Sequence, residues 1–231
     1  MKRCYFLCLL CVVLTSACAQ KVNYRSFKHY NEMVDAFAGL PAVTSNEIVM
    51  LGDSHTEFGG DWNTYFDGVN NIRNYGIAGD NAIGIRHRLC QISKNNPKAI
   101  FFECGINDLS HNLTPEQVAS DVFETLDTLH ALCPETPLYV QGVFPINMDV
   151  RLWKTLDGRT DDVPVLNNLL KEGCKERGFV FIDVFSVLKE PFSNKLRRNL
   201  CRDGLHLTPA GYKIWAKTIE PYILLEVRGE K

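Results

Sequence analysis

A chain of 231 residues, 45% of them hydrophobic and 10% aromatic, has enough apolar side chains for one sizeable core, so one globular domain is expected. The 25 basic and 27 acidic residues give a net charge of −2, without a long run of either sign. Nothing in this pattern could follow a phosphate backbone, so we predict no nucleic-acid partner.

The first residues have the order of a secretory signal. Two basic residues precede an apolar run from Tyr5 to Leu14, and small residues follow from Thr15 to Ala19. The apolar run is too short to span a bilayer. We therefore predict an exported protein, periplasmic or extracellular, with a signal peptide at 1–19 and one mature domain at 20–231.

Two ways of processing this leader are open. The residues Ala17-Cys18-Ala19 fit a cleavage site of the A-x-A type that would release Gln20. Alternatively, Ser16-Ala17-Cys18 resembles a bacterial lipobox, which would leave Cys18 lipidated. A lipid anchor on Cys18 is the one membrane attachment that the sequence suggests, and no pattern indicates an oligomeric state.

Short apolar runs alternate with helical patterns along the rest of the chain. Runs of this length suit strands buried on both faces, and the predicted strands are 47–51, 72–75, 99–102, 138–141 and 179–182. Strands that alternate with helices indicate right-handed crossovers and a parallel sheet covered on both sides. The predicted fold class is therefore α/β, a three-layer α/β/α domain with a five-stranded parallel sheet.

The helical patterns carry boundary signals. Thr114-Pro115-Glu116-Gln117 supplies an N-cap, a first-turn proline and a capping-box Gln. Gly178 is predicted to end a helix whose apolar face includes Leu170 and Cys174. The last helix is predicted to start at Thr208-Pro209 and to be interrupted by Pro221. A further helical spacing, of four and three residues, is formed by Ile85, Leu89 and Ile92.

The segment 144–162 has no steady period and is predicted to be a long loop. Loops of this length in compact domains are often functional. Trp153, within it, is a candidate substrate contact, and the alternative is one buried Trp in a surface connection.

The cysteines say little about function. Five lie beyond the leader, and they are Cys90, Cys104, Cys133, Cys174 and Cys201. They form no C-x-x-C pair and fall on apolar patterns, so small buried side chains are predicted and no metal site. One disulfide stays open as an alternative.

Polar clusters stand where the predicted strands end. Ligands of open parallel sheets bind outside this carboxyl edge, and the clusters are Gly52-Asp53-Ser54-His55, Gly76-Ile77-Ala78-Gly79-Asp80, Gly105-Ile106-Asn107-Asp108 and, before the last helix, Asp203-Gly204-Leu205-His206. A serine becomes a nucleophile when a histidine accepts its proton and a carboxylate orients that histidine. The developing oxyanion needs N–H donors, which backbone and side-chain amides supply.

These four clusters, in this order, resemble blocks of the SGNH/GDSL hydrolases, in the branch with platelet-activating-factor acetylhydrolase-like and carbohydrate-acetylesterase members. The resemblance extends from about Val49 to Trp215. It implies a flavodoxin-like SGNH fold in which Ser54 is the nucleophile, His206 the base and Asp203 its orienting carboxylate. It also implies an oxyanion hole formed by the N–H groups of Ser54 and Gly79 and the side-chain amide of Asn107. No cofactor is implied.

One residue departs from the family pattern. His55 stands where the family commonly has Leu or Ile. The imidazole could line the substrate cleft and make it more polar, or it could have a structural role. Either interpretation leaves the catalytic residues unchanged.

The sequence therefore predicts a serine esterase acting on small-molecule or glycan esters with short acyl groups, acetyl esters of carbohydrates above all. Lipid esters, lysophospholipids and thioesters are alternative substrates of the same site. A metal-dependent phosphoesterase would share the D-x-H of Asp53 and His55, but Ile83 stands where that class needs an acid. A non-catalytic glycan-binding protein would be expected to lack the serine or the histidine, and both are present.

Overall fold

Five parallel strands form the centre of the computed structural model, which describes residues 26–229. The predicted signal peptide and Cys18 lie outside these residues. The sheet order is β2-β1-β3-β4-β5, and the strands are β1 Ile48–Gly52, β2 Ile72–Gly76, β3 Ala99–Glu103, β4 Leu138–Gln141 and β5 Val180–Ile182. Each strand begins within one residue of its predicted start. The α/β/α class and the five-stranded parallel sheet are confirmed.

Helices cover both faces of the sheet. The helices are α1 Lys28–Ala38, α2 Ser54–Phe58, α3 Ala82–His87, α4 Ile106–Ser110, α5 Pro115–Leu132, α6 Asp162–Arg177, α7 Val184–Leu188 and α8 Pro209–Arg228. Alternate strand side chains point to opposite faces, so Val49 and Leu51 pack with α1, α3, α5 and α6, whereas Ile48 and Met50 pack with α7 and α8. Within residues 26–229, none of these helices is long and apolar enough to cross a membrane.

Several helix boundaries follow the predicted signals. Thr114 and Gln117 form the capping box of α5, and Gly178 ends α6 in a left-handed conformation with φ 73°. The predicted spacing from Ile85 to Ile92 is not one helix, because α3 ends at His87 and a 3-10 turn follows.

The predicted interruption at Pro221 is wrong, because α8 continues through it to Arg228. An internal proline costs a helix about 3 kcal/mol. Trp215 and Ile219 before the proline and Ile223 after it are all fully buried against the sheet. Burial of each large apolar side chain contributes roughly 1.5–3 kcal/mol, which outweighs the cost of the proline.

The cysteines are free thiols throughout the described residues. Cys104, Cys133, Cys174 and Cys201 are buried, as predicted, whereas Cys90 is exposed. The prediction for Cys90 is wrong because the helical face assumed for it ends with α3, and the 3-10 turn that follows directs it outward.

Candidate active site

The chain turns sharply from β1 into α2 and carries Ser54 at the carboxyl edge of the sheet. Asp53 caps α2, since its carboxylate accepts the backbone N–H of His55 at 2.9 Å. Gly52 is required here, because a Cβ would lie 2.3 Å from the Thr56 hydroxyl and 2.6 Å from the Glu103 carbonyl. The close approach of the strand end to α2 therefore fixes the position of Ser54.

Ser54, His206 and Asp203 form a continuous chain of hydrogen bonds. The Ser54 Oγ lies 3.1 Å from Nε2 of His206, although the two residues are 152 positions apart. The His206 Nδ1 lies 2.9 Å from Oδ2 of Asp203. The structure thus brings together the three side chains that the sequence nominated from opposite ends of the chain.

The turn 203–206 is held at its backbone. Oδ1 of Asp203 accepts the N–H of His206 at 2.9 Å and that of Leu205 at 3.2 Å. These bonds, together with the one to the imidazole, use both carboxylate oxygens. Asp203 therefore orients the peptide as well as the side chain of His206.

Residues of the segment 144–162 donate two hydrogen bonds to backbone carbonyls of this turn. The N–H of Asn147 donates to the carbonyl of Gly204 at 2.7 Å, and Nε1 of Trp153 donates to the carbonyl of Asp203 at 2.7 Å. The half-buried Trp153 ring also stands edge-on to His206, with 5.9 Å between centroids. The segment has irregular structure apart from the 3-10 turn Lys154–Leu156 and its last residue, Asp162, which begins α6. Trp153 lies beside the site. Its hydrogen bond to Asp203 was not predicted.

Charges at the site favour a neutral imidazole beside an ionised carboxylate. Burial lowers the pKa of His206 below its ordinary value, and the nearby His55 lowers it further, while Asp203 opposes both effects. Burial acts to raise the pKa of Asp203, but hydrogen bonds from the backbone and imidazole of His206 outweigh it and the pKa is lowered. At neutral pH, His206 can therefore accept a proton.

Gly79 and Asn107 follow the two strands that flank β1. Gly76 and Glu103, the last residues of β2 and β3, both pair in register with Gly52, so the segments after them emerge at the same edge. Gly79 has a φ of 85°, in the left-handed region that favours glycine. The Asn107 Nδ2 donates to the Asp80 carbonyl at 2.8 Å and to the Asp53 carboxylate at 3.3 Å.

The sequence matches the model of the GDSL-like lipase/acylhydrolase family over residues 50–214. The chain belongs to this family. The predicted family and the predicted enzyme class, an ester hydrolase, are confirmed. No curated protein matches the sequence.

Solved structures have the same fold. One, described as a candidate platelet activating factor from Streptococcus pneumonia, has a TM-score of 0.74 at 20% identity and covers 84% of this chain and 92% of its own. A candidate acylhydrolase from Bacteroides fragilis has a TM-score of 0.73 at 18% identity, covering 89% and 100%. A mutant of an acetyl-xylooligosaccharide esterase from Geobacillus Stearmophilus has a TM-score of 0.60 at 16% identity, covering 81% and 96%.

Removal of the Asn107 amide tests its proposed place in the oxyanion hole of this acylhydrolase. We expect Asn107→Ala to lower kcat by roughly 10² to 10³-fold, the usual effect of losing one donor. Because two hydrogen bonds are also lost, the melting temperature should fall by a few degrees. The comparison is Asn199→Ala, at an exposed position, and an unchanged kcat in Asn107→Ala would remove Asn107 from the site.

A buried acidic cluster lies beneath Ser54 in this acylhydrolase. Its members, each 2% exposed or less, are Asp53, Asp80, Glu103 and Asp108. Arg88, also buried, donates to Asp80 at 2.8 Å. Asp108 accepts the backbone N–H of Ala82, and Asp53 accepts that of His55, so both carboxylates hold the loops that follow the strands. The sequence did not lead us to predict that Glu103 and Arg88 belong to this cluster. An acidic residue at the end of an apolar strand, as Glu103 is in β3, could have indicated it.

His55 belongs to this cluster and does not line the substrate cleft. Its ring is fully buried, with Nδ1 at 3.3 Å from Asp53 and 3.8 Å from Glu103. The interpretation of His55 as a substrate contact is therefore wrong, since the short α2 turns its side chain inward. The nearest ring nitrogen and carboxylate oxygens of these three side chains all lie within 4.8 Å of one another.

The buried acids make stability depend on pH. Burial raises the pKa of Asp108 to about 7, so folding favours its protonated form. Its stabilising contribution is complete below its unfolded pKa of about 4 and is lost as the pH rises through 7. Asp80, with its pKa raised to about 6 by burial, acts in the same direction.

As the pH rises from about 4 to about 7, the free energy of unfolding should decrease less in Asp108→Asn than in the wild type. The reason is that the asparagine amide has no proton to lose. Urea denaturation of both proteins at several pH values between about 4 and 8 measures the two slopes. Asp157→Asn, at an exposed position, should keep the wild-type slope. Equal slopes in the wild-type and Asp108→Asn proteins would contradict the assignment.

Proposed function

We propose that this acylhydrolase is a serine esterase that cleaves short acyl esters, acetyl esters above all, from carbohydrate alcohols. The observation that carries the proposal is the hydrogen-bonded chain from Ser54 through His206 to Asp203. In this assignment Ser54 is the nucleophile and His206 the general base. The N–H groups of Ser54 and Gly79 bind the oxyanion. The amide of Asn107 joins them by exchanging its longer hydrogen bond, to Asp53, for one to the substrate.

The proposed reaction proceeds through an acyl-enzyme. The His206 Nε2 accepts the hydroxyl proton while the Ser54 Oγ attacks the ester carbonyl, and the oxyanion donors stabilise the tetrahedral intermediate. His206 then returns the proton to the departing alcohol. A water molecule, deprotonated by His206, then attacks the acyl group, and His206 returns this proton to the Ser54 Oγ as the acid leaves. Asp203 stays ionised and stabilises the imidazolium during both steps.

The surroundings of His206 support a carbohydrate alcohol. The rings of Phe58 and Trp153 lie 5.1 and 5.9 Å from its imidazole. Exposed arginines stand over both rings, Arg202 over Phe58 at 5.8 Å and Arg151 over Trp153 at 5.1 Å. Aromatic faces with nearby N–H donors suit a sugar ring, which presents C–H groups and hydroxyls. The acetyl-xylooligosaccharide esterase among the structures of the same fold is consistent with this choice.

Initial rates on p-nitrophenyl esters of increasing acyl length, beside acetylated oligosaccharides, test the proposal. We expect the acetyl ester to have the highest kcat/KM, acetate to be released from the oligosaccharides, and EDTA to have no effect. A preference for long acyl chains would favour lipid esters, and a requirement for added metal would favour a phosphoesterase. Binding of the oligosaccharides without hydrolysis would favour a glycan-binding protein.

The acid limb of the pH profile should lie below the ordinary histidine range. Only neutral His206 can accept the serine proton, and its pKa is lowered from 6.5. We therefore expect kcat/KM for p-nitrophenyl acetate to stay high down to about pH 6.5 and to fall in more acid solution. A fall that begins above pH 7, or a rate that stays flat well into the acid range, would contradict the role of His206.

We also propose that the chain acts outside the cytoplasm, on the strength of its leader-like first residues. Expression in a bacterial host followed by mass spectrometry of the mature N-terminus tests this. A chain that begins at Gln20 indicates soluble export, and a lipid-modified Cys18 indicates an anchored protein. A chain that retains Met1 in the cytoplasmic fraction would contradict export.

A further inference from the structure

The second histidine near the nucleophile, His55, has contacts that define its protonation state. Its Nε2 lies 3.1 Å from the carbonyl of Leu205, which can only accept, so Nε2 carries a hydrogen. The Nδ1 lies 3.3 Å from the Asp53 carboxylate and 3.8 Å from that of Glu103. In a neutral ring, the lone pair of Nδ1 would face both acids.

A proton on Nδ1 removes this conflict. Glu103 cannot donate it through a hydrogen bond, because 3.8 Å exceeds hydrogen-bond length. Both oxygens of Asp53 already act as acceptors, one from the His55 backbone N–H and one from the Asn107 amide. With the ring 0% exposed, a charge on Nδ1 offsets the buried charge of Asp53, which would otherwise be costly. The same balance appears in the pKa of His55: burial acts to lower it, but Asp53 and Glu103 raise it to about 9.

The backbone contacts of His55 join the two halves of the site. It follows Ser54 directly, and its own carbonyl accepts the Tyr212 hydroxyl at 2.9 Å. The Leu205 carbonyl that it binds belongs to the residue before His206. A single side chain therefore connects the turn that carries the nucleophile to the turn that carries the base.

We infer that His55 is a positioning residue of the esterase site, a buried imidazolium that fixes the 203–206 turn through Leu205 and keeps His206 in its neutral form. The two imidazole rings are 5.7 Å apart, so a charge on His55 opposes a second charge on His206. The inference rests on the proposed role of His206 as the base. His55 touches neither substrate nor the reacting atoms.

Other groups facing His206 act in both directions. Asp203, at 2.9 Å, and the more distant Asp53 favour the charged imidazole. Burial and His55 favour the neutral one. The remaining neighbours are the uncharged rings of Phe58 and Trp153, and Arg202, which stands 3.9 Å from the Asp203 carboxylate. When the charge of His55 is removed, only burial still opposes the two acids, so the pKa of His206 should rise.

Two variants separate the charge from the hydrogen bond. His55→Gln keeps an N–H donor that can reach the Leu205 carbonyl but carries no charge, and His55→Leu removes both. We expect the acid limb of kcat/KM to move to higher pH in both, by about 0.5 to 2 pH units for unit charges at the 5.7 Å ring separation and an effective dielectric constant between about 80 and 20. The plateau kcat should fall further in His55→Leu. His130→Gln, at an exposed position on α5, should match the wild type.

Nitrogen-15 NMR of the wild-type imidazoles tests the charge directly and needs no variant to fold. Both nitrogens of His55 should have the shifts of an imidazolium at neutral pH and keep them until about pH 9. A neutral His55 at pH 7, or an acid limb that does not move in His55→Gln, would overturn the inference. Failure of the wild-type protein to hydrolyse esters would instead overturn the proposed function, and the NMR result would still stand on its own.

Discussion

Ser54→Ala is expected to abolish ester hydrolysis, with a loss in kcat of about 10⁴-fold or more. The Oγ is the atom that forms the acyl bond in the proposed reaction, and alanine has no group to replace it. A water molecule bound beside the oxyanion donors would support only a slow residual reaction. Initial rates with p-nitrophenyl acetate at high enzyme concentration measure what remains.

Loss of activity in Ser54→Ala should come without loss of the fold. Ser54 is a small side chain with 4% exposure, and its hydroxyl bonds to His206. The substitution removes one oxygen atom and no packing volume of consequence, so the melting temperature should change by no more than a few degrees. Ser120→Ala, at an exposed position on α5, is the matched control. Activity within a few-fold of wild type in Ser54→Ala would rule out this serine as the nucleophile.

Asp203→Asn is expected to lower kcat by about 10³ to 10⁴-fold while leaving the turn intact. The asparagine oxygen can still accept the N–H groups of Leu205 and His206. Its amide nitrogen, however, replaces the oxygen that accepts from Nδ1 of His206, and two donors cannot face each other. The imidazole must then place its hydrogen on Nε2, where it points at Ser54 and cannot accept the serine proton.

Asp183→Asn is the matched control for this change. Asp183 also caps a turn, since its carboxylate accepts the N–H of Ser186 at the start of α7, but it is exposed. We expect the control to keep wild-type kcat and Asp203→Asn to keep the wild-type KM within a few-fold. If Asp203→Asn were nearly as active as the control, the carboxylate would not be the orienting group.

The elements and the nominated residues could be predicted because their signals are local. Strands buried on both faces are short apolar runs, and capping residues such as Thr114 and Gly178 lie beside the helix ends that they define. The four polar clusters could be grouped because parallel strands end at one edge. The proximity of Ser54 and His206 then followed from topology and a family resemblance.

The remaining features depend on contacts between distant segments. The path of α8 through Pro221 depends on burial against the sheet, which single-sequence patterns do not contain. The position of His55 depends on Asp53, on Glu103 at the end of another strand and on a carbonyl 150 residues away. The bond from Trp153 to the Asp203 carbonyl joins two irregular segments. Such partners have no periodicity, so propensity and spacing do not identify them.

The bond between Trp153 and Asp203 has a consequence for redesign of this esterase. Trp153, which borders the proposed alcohol-binding surface, also supports the backbone of the turn 203–206, which carries the proposed base. Exchanging Trp153 to admit a different alcohol would therefore disturb the geometry of proton transfer, so selectivity and turnover cannot be optimised independently at this position. Arg151, whose exposed side chain stands over the Trp153 ring, offers a way to alter selectivity while leaving that support in place.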